Sequence, residues 1–436
     1  MTRIARTASV VFLLVLLAAS PALAAGDNAA AVPPGSRPFP VVWTLDDVTA
    51  FALKNHPLLM QAGADVAAAA ARKGQAEAAR YPFVDLSAGR SRTKSFSAQS
   101  RSSVTLETDF VRGDLQWTIY DFGRTGAAVD RADALAGIVR ENAATTREDV
   151  LFNAKVAFYN VLRAENAVQF QEKNVRQRES LFRQAQAFYE TGVRAKIDFV
   201  RAEANLYDSR ALLGQARNDL RVARITLLQA IGLDGPADFL LLGELPEMAL
   251  DGTLEEWIAE AHRNRPELRA LAEKERAANE TLRLARANRL PFVAGAAEYG
   301  YAGEDYPLEE NYLLSLTLNQ PLFTGFLTRE QMREAQAALS SVRYETVEAK
   351  RRVRLEVERS AYGVQEAKER LEARRKQREA AAENLRLATA RYEVGAGDII
   401  EMTDAQTQMV SADTETVNTA FDYAVSQSSL LRAMGR

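Results

Sequence analysis

Residues able to do covalent chemistry are scarce in this chain. Its 436 residues include no cysteine and only two histidines, His56 and His262. Disulfides, thiolate metal sites, cysteine nucleophiles and lipids carried on cysteine are thereby excluded. Two histidines are too few for a His-rich metal site, and they argue against a Ser-His-Asp triad. No phosphate-binding glycine loop and no pair of carboxylates on a plausible cleft stands out. The expectation is a protein without enzymatic activity, cofactor or metal. With 55 Lys+Arg against 58 Asp+Glu, the net charge is −3, which leaves no basic footprint for nucleic acid. His56 and His262 fall near the ends of short predicted helices, where solvated or capping roles suit them.

The elements that position the remaining polar residues begin with an address. Arg3 and Arg6 precede the apolar run Val10 to Ala19, and Ala22-Leu23-Ala24 follows as a small-x-small cleavage site. Residues 1–24 therefore read as a secretory signal peptide, whose apolar run Val10 to Ala19 is too short to span a bilayer. Residues 25–43, with Pro33, Pro34, Pro38 and Pro40, read as an extended leader. No later stretch is apolar enough for a transmembrane helix, so any crossing of a membrane must be a β-barrel.

The rest of the chain is written twice. Thr44-Leu45-Asp46-Asp47 recurs as Thr253-Leu254-Glu255-Glu256, Pro57 as Pro266, and Pro82-Phe83 as Pro291-Phe292, each 209 residues on. Tyr159 recurs as Tyr362, Tyr189-Glu190-x-Gly192 as Tyr392-Glu393-x-Gly395, and Ile231-Gly232 as Met434-Gly435, each 203 residues on. The expected organisation is repeat 1 over 44–233, an equatorial linker over 234–252, and repeat 2 over 253–436. Each repeat reads as short helix, β-hairpin, long helix, helix. Proline is absent from 83–235 and from 322–436. Stretches rich in Ala, Glu, Arg, Gln and Leu from Ala127 to Glu190 and from Leu327 to Glu393 predict helices of about 65 residues, ~100 Å long. Such helices need a partner along their whole length. Helices from Pro57 to Arg80 and from Ile197 to Ile231, stacked end to end, supply about that length, as do Pro266 to Arg289 and Ile399 to Ala433.

Residues 83–119 and 292–320 alternate in the β manner, with 91–103 and 301–310 read as hairpin loops. Val111, Leu115, Trp117 and Ile119 oppose Asp114, Gln116 and Thr118; Tyr312, Leu314, Leu316 and Leu318 oppose Asn311, Ser315, Thr317 and Asn319. One apolar and one polar face fit a transmembrane barrel strand. Two hairpins give four strands per chain, too few to close, whereas three chains give a 12-stranded barrel with room for a passage. The fold expected is thus a mixed α and β membrane protein: a trimeric β-barrel continued by a long α-helical barrel. A non-transporting coiled-coil stalk or adhesin is the alternative, though it has no need of apolar-faced hairpins. A periplasmic enzyme is a more distant third.

At this point the chain resembles the TolC family of outer-membrane efflux proteins. The resemblance rests on the duplicated pattern, on Trp117-x-Ile119-Tyr120-Asp121-Phe122-Gly123-Arg124 with Gln320-Pro321-Leu322-Phe323-Thr324-Gly325, and on the turns Tyr189-x-x-Gly192 and Tyr392-x-x-Gly395. It implies a homotrimeric duct in outer-membrane lipid, extending into the periplasm. It also implies docking to a periplasmic adaptor and an inner-membrane pump of RND or ABC type, for efflux or type I secretion. By resemblance, Glu401 and Asp404 correspond to acids ringing the pore constriction, and Tyr392 and Asp198 to members of a polar network that holds it shut. The family's arginine and threonine in that network fall on Gly397 and Ile197, which implies a leakier closed state. Asp198 and Glu401 are equivalent positions 203 apart; the equivalent of Asp404 is Arg201, a candidate partner for it. The gate and turn residues are therefore Tyr392, Gly395, Tyr189, Gly192 and Arg201.

Overall fold

The computed structural model describes residues 42–97, 101–236, 239–243, 252–394 and 396–436. The signal peptide, the leader up to residue 41, Gly395 and most of the linker lie outside the described residues.

Eight helices appear among them. The first, α1 (Leu45–Asn55), and the fifth, α5 (Leu254–Asn264), begin with capping boxes, Thr44 with Asp47 and Thr253 with Glu256. Helices α2 (Pro57–Ala78) and α6 (Pro266–Ala287) each open on proline, which is preorganised for a first turn. His56 caps α2, its imidazole Nδ1 accepting from the Leu58 N–H at 3.1 Å, and burial holds that imidazole below its usual pKa. Two continuous helices of 67 residues follow, α3 (Arg124–Glu190) and α7 (Leu327–Glu393). They are succeeded by α4 (Lys196–Ala230) and α8 (Ile399–Met434). The Asp121-Phe122-Gly123 motif starts α3: Gly123 takes a left-handed φ of 87°, and the Asp121 carboxylate accepts the N–H groups of Gly123 and Thr125.

Helix α3 packs against α2 near the strands and against α4 further away, as α7 does against α6 and α8. Charge marks this division. Asp133 of α3 pairs with Lys73 of α2, whereas Glu165, Glu172 and Glu179 pair with Arg224, Arg217 and Arg210 of α4 at seven-residue steps. That spacing is a heptad seam between antiparallel helices. Apolar side chains concentrate midway along α3, where Phe158, Tyr159 and Val161 meet Trp43, Val48, Leu227 and Ile231. A second cluster joins Ile258, Leu268, Val357, Leu430 and Met434.

Two strands arise where a leader and a linker are predicted. β1 (Val42–Trp43) runs parallel to β4 (Leu240–Leu241). The remaining strands, β2 (Phe83–Ser97), β3 (Ser102–Tyr120), β5 (Phe292–Gly303) and β6 (Glu309–Asn319), form one antiparallel sheet in the order β2-β3-β5-β6. Strands penetrate further into the predicted loops 91–103 and 301–310 than alternation suggests. In the first hairpin the extension is held by cross-strand ion pairs of Arg90 with Asp109 and Arg92 with Glu107.

Register sorts the two faces. Leu115 lies opposite Ala297 and Ala297 opposite Leu314; Trp117 lies opposite Gly295 and Gly295 opposite Leu316. Directly opposed residues share a face, so the apolar rows of both hairpins merge into one. The polar rows, with Gln116 opposite Ala296 and Ala296 opposite Ser315, merge on the other. Strands β2 and β6 are the edges of this sheet. No helix among the described residues is long and apolar enough to cross a membrane.

Candidate functional site

At the end of the helices remote from the sheet, two turns lie side by side, one joining α3 to α4 and the other α7 to α8. The first is closed by Gly192, whose φ of 72° suits glycine, and by the Val193 N–H donating to the Phe188 carbonyl at 2.9 Å. In the second, the N–H groups of Ala396 and Gly397 both donate to the Arg391 carbonyl, and Asp398 caps α8 by accepting the Glu401 N–H at 2.8 Å. A side chain at Gly397 would bring its Cβ to 3.1 Å from that of Arg391, so the turn is fitted to glycine there.

An apolar cluster binds the turns together. Tyr392 and Ile399 pack with Leu181, Ala185 and Ala202 of the first helical pair. Tyr392 is only 2% exposed. Its hydroxyl is buried with no hydrogen-bond partner among the described residues. Burial pushes that phenol above its usual pKa; the nearby Arg194 opposes the shift and the Asp198 charge adds to it. Thus Asp198 and Tyr392 come near each other without the Tyr392 hydroxyl bonding to any described residue. Tyr189 is exposed and stacks on Phe199, with ring centroids 5.9 Å apart.

Two arginines that the sequence reading passed over occupy the centre. The Arg194 guanidinium lies 5.5 Å from the Tyr392 ring centroid and donates to the Gly397 carbonyl at 3.4 Å. Arg391 donates to Glu401 Oε1 at 3.0 Å. Arg194 was discoverable, since it sits 203 residues before Gly397 at the equivalent position. The three acids share the neighbourhood in different states. Glu401 is paired within its own helical hairpin, Asp404 is exposed, and Asp198 is half-buried. Arg201 is exposed too, and no ion pair joins it to Asp404 among the described residues of the single chain.

Above the turns, α3 meets α8 through buried polar groups. Arg178 donates to Thr407 at 2.9 Å and Gln406 to Gln177 at 3.1 Å. Arg178 Nη1 has no hydrogen-bond partner among the described residues. A seam of this kind adheres less than an apolar one, because unmade hydrogen bonds offset its burial. Three acids, two arginines, a buried tyrosine and a loosely bonded seam can hold two helical pairs together and set the charge at this end of the helices.

A family model described as "Outer membrane efflux protein" matches residues 50–233 and 257–436. The chain is 28% identical over 398 residues to "Protein CyaE" of Bordetella pertussis, covering 88% of this chain and 82% of that one. It is 23% identical over 402 residues to "Outer membrane protein TolC" of Escherichia coli, covering 87% of this chain and 80% of that one. The crystal structure of the Campylobacter jejuni CmeC outer membrane channel superposes with a TM-score of 0.81 at 16% identity, covering 90% of this chain and 85% of that one. At that identity the likeness shows a common fold.

Proposed function

We propose a mechanism from one premise: the chain belongs to the outer membrane efflux protein family, and it is an outer-membrane export channel. The observation that carries the finer reading is the open sheet. Four strands with one apolar face cannot remain unclosed in lipid, because the edges of β2 and β6 would leave backbone groups unsatisfied. Three copies joined edge to edge make a 12-stranded barrel, and the helices, three sets of four columns, continue it as a tunnel into the periplasm. Residues 44–233 and 253–436 act as two structural repeats around the wall, joined by the linker 234–252.

The duct is passive. Energy and choice of cargo come from an inner-membrane pump of RND or ABC type, reached through a periplasmic adaptor. The two turns form the periplasmic end, with Glu401, Asp404 and Asp198 contributing the acidic constriction. Arg194 does the work expected of an arginine at position 397, reaching from the first turn to the second. The Arg391–Glu401 pair reduces repulsion among the acids. Mass measurement in detergent together with membrane fractionation tests the assembly: a trimer in the outer-membrane fraction is expected, and a soluble monomer overturns it.

A further inference from the structure

The junction between sheet and helices carries a second concentration of positive charge, far from the turns. There β3 ends at Tyr120 just before α3, and α6 ends at Ala287 just before β5. An open cleft of about 580 Å³ lies at this level, lined by Arg283, Arg286 and Arg289 together with the apolar Phe122, Leu290 and Met332. Among the described residues, no carboxylate lines it. Arg283 is paired with Asp130 and Glu280, each at 3.0 Å, whereas Arg286 and Arg289 make no side-chain ion pair among the described residues. Arg124 braces the same wall, donating to the carbonyls of Ala287 at 3.4 Å and Leu290 at 3.3 Å. Its Nε is buried without a hydrogen-bond partner among the described residues.

Aromatic side chains mark the height of this cleft. Tyr81, Tyr120, Phe122, Phe323 and Phe326 are all exposed around the junction, and the Trp117 indole N–H donates to the Arg80 carbonyl at 3.1 Å. Exposed aromatics of this kind gird a membrane-spanning sheet where hydrocarbon gives way to headgroups. Guanidinium forks match phosphate oxygens two at a time. A soluble anion would gain nothing from the apolar wall.

We propose that the cleft holds the headgroup phosphate of a glycerophospholipid from the helix-side leaflet, with Arg286 and Arg289 as its ligands and Phe122, Leu290 and Met332 against the glycerol and first acyl carbons. The inference rests on the reading of the sheet as embedded in a membrane. The bound lipid would fix the height of the barrel in the bilayer.

The test uses the full-length protein, stripped of lipid in mild detergent and titrated with dioleoylphosphatidylglycerol under native mass spectrometry. Wild type is expected to take up one tightly held lipid per chain. Arg286→Ala with Arg289→Ala should weaken that uptake by about tenfold or more, and Arg286→Lys with Arg289→Lys by less, since charge is kept and the fork lost. Dioleoylglycerol, which lacks the phosphate, should not compete. Equal uptake by wild type and both double variants overturns the proposal, as does complete displacement by excess inorganic phosphate, which would mark a site for soluble anions. Flotation with phosphatidylglycerol–phosphatidylethanolamine vesicles separates the two levels of failure. Protein that never floats defeats the membrane reading itself; protein that floats with unchanged lipid uptake in the Ala variant defeats only the cleft.

Discussion

The two turns occupy equivalent positions 203 residues apart, yet they divide their chemistry between them. The first exposes its tyrosine, Tyr189 being 41% exposed, starts α4 at Ala195 without a side-chain cap, and projects the cation Arg194. The second buries Tyr392 to 2%, caps α8 with Asp398 and offers a bare carbonyl at Gly397. Arg194 and Gly397, equivalent in position, touch each other. The first turn thus reaches and the second receives. On the proposed reading of these turns as a gate, closure depends on a contact between unlike halves, and neither turn carries it alone.

The largest expected effects come from interrupting the columns that bring the turns together. Ala157→Pro, midway along α3 and inside the main apolar cluster, should cost ~3 kcal/mol or more. Trimer yield and export should both be lost. The equivalent Ser360→Pro on half-buried ground in α7 should be somewhat milder. Assembly and export by Ala157→Pro would contradict a continuous helix.

Next come the helix junctions at mid-height. Arg265 and His56 are equivalent positions 209 apart. The Arg265 side chain is buried and pairs with Glu356 at 2.6 Å and Glu267 at 3.2 Å, while His56 caps a helix. Thermal unfolding should show a loss of about 2 kcal/mol for Arg265→Ala, which empties a buried site and removes both ion pairs. His56→Ala should lose below about 1 kcal/mol. Near Arg265, burial foremost and then the charge of Glu267 raise the pKa of Glu148 above its usual 4.5. The folded state therefore holds that proton more tightly than the unfolded chain. Between 4.5 and the raised value, stability falls as pH rises. Glu148→Gln should remove this slope and leave the variant the more stable at neutral pH; identical pH–stability curves would count against it.

The smallest effect on stability, and the most specific to the turns, belongs to Arg194. Arg194 is half-buried over the buried Tyr392 ring, and a cation that keeps part of its hydration in such a contact contributes about 0.5–1 kcal/mol. Arg194→Ala should therefore raise the open probability in bilayer recordings by about two- to fivefold. Arg391→Ala leaves the cross-turn contact intact and should change charge selectivity more than leak.

Much of this architecture was legible in the sequence. Absence of proline bounded the two long helices, and alternation gave the faces of β3 and β6. Other parts were hidden for definable reasons. Thr44-x-x-Asp47 and Thr253-x-x-Glu256 served as repeat markers, although each is a capping box that starts a helix, so α1 and α5 went unpredicted. The Ser/Thr/Arg composition of 91–103 suggested a loop, because alternation cannot reveal ion pairs formed across a hairpin. Alignment on the second turn made position 397 look like a deficit. A cation that reaches this position, Arg194, lies in the first turn, and only spatial proximity, or a comparison of the two turns with each other, exposes it.

Single-channel recording from the periplasmic side of the full-length protein, with and without Glu401→Ala plus Asp404→Ala, tests the central claim most directly. Clustered carboxylates attract cations. Wild type should conduct with cation preference and be blocked by multivalent cations, and the double variant should lose both properties while still conducting. Absence of conductance from the wild type, or selectivity and block unchanged in the variant, would contradict a duct constricted at these turns.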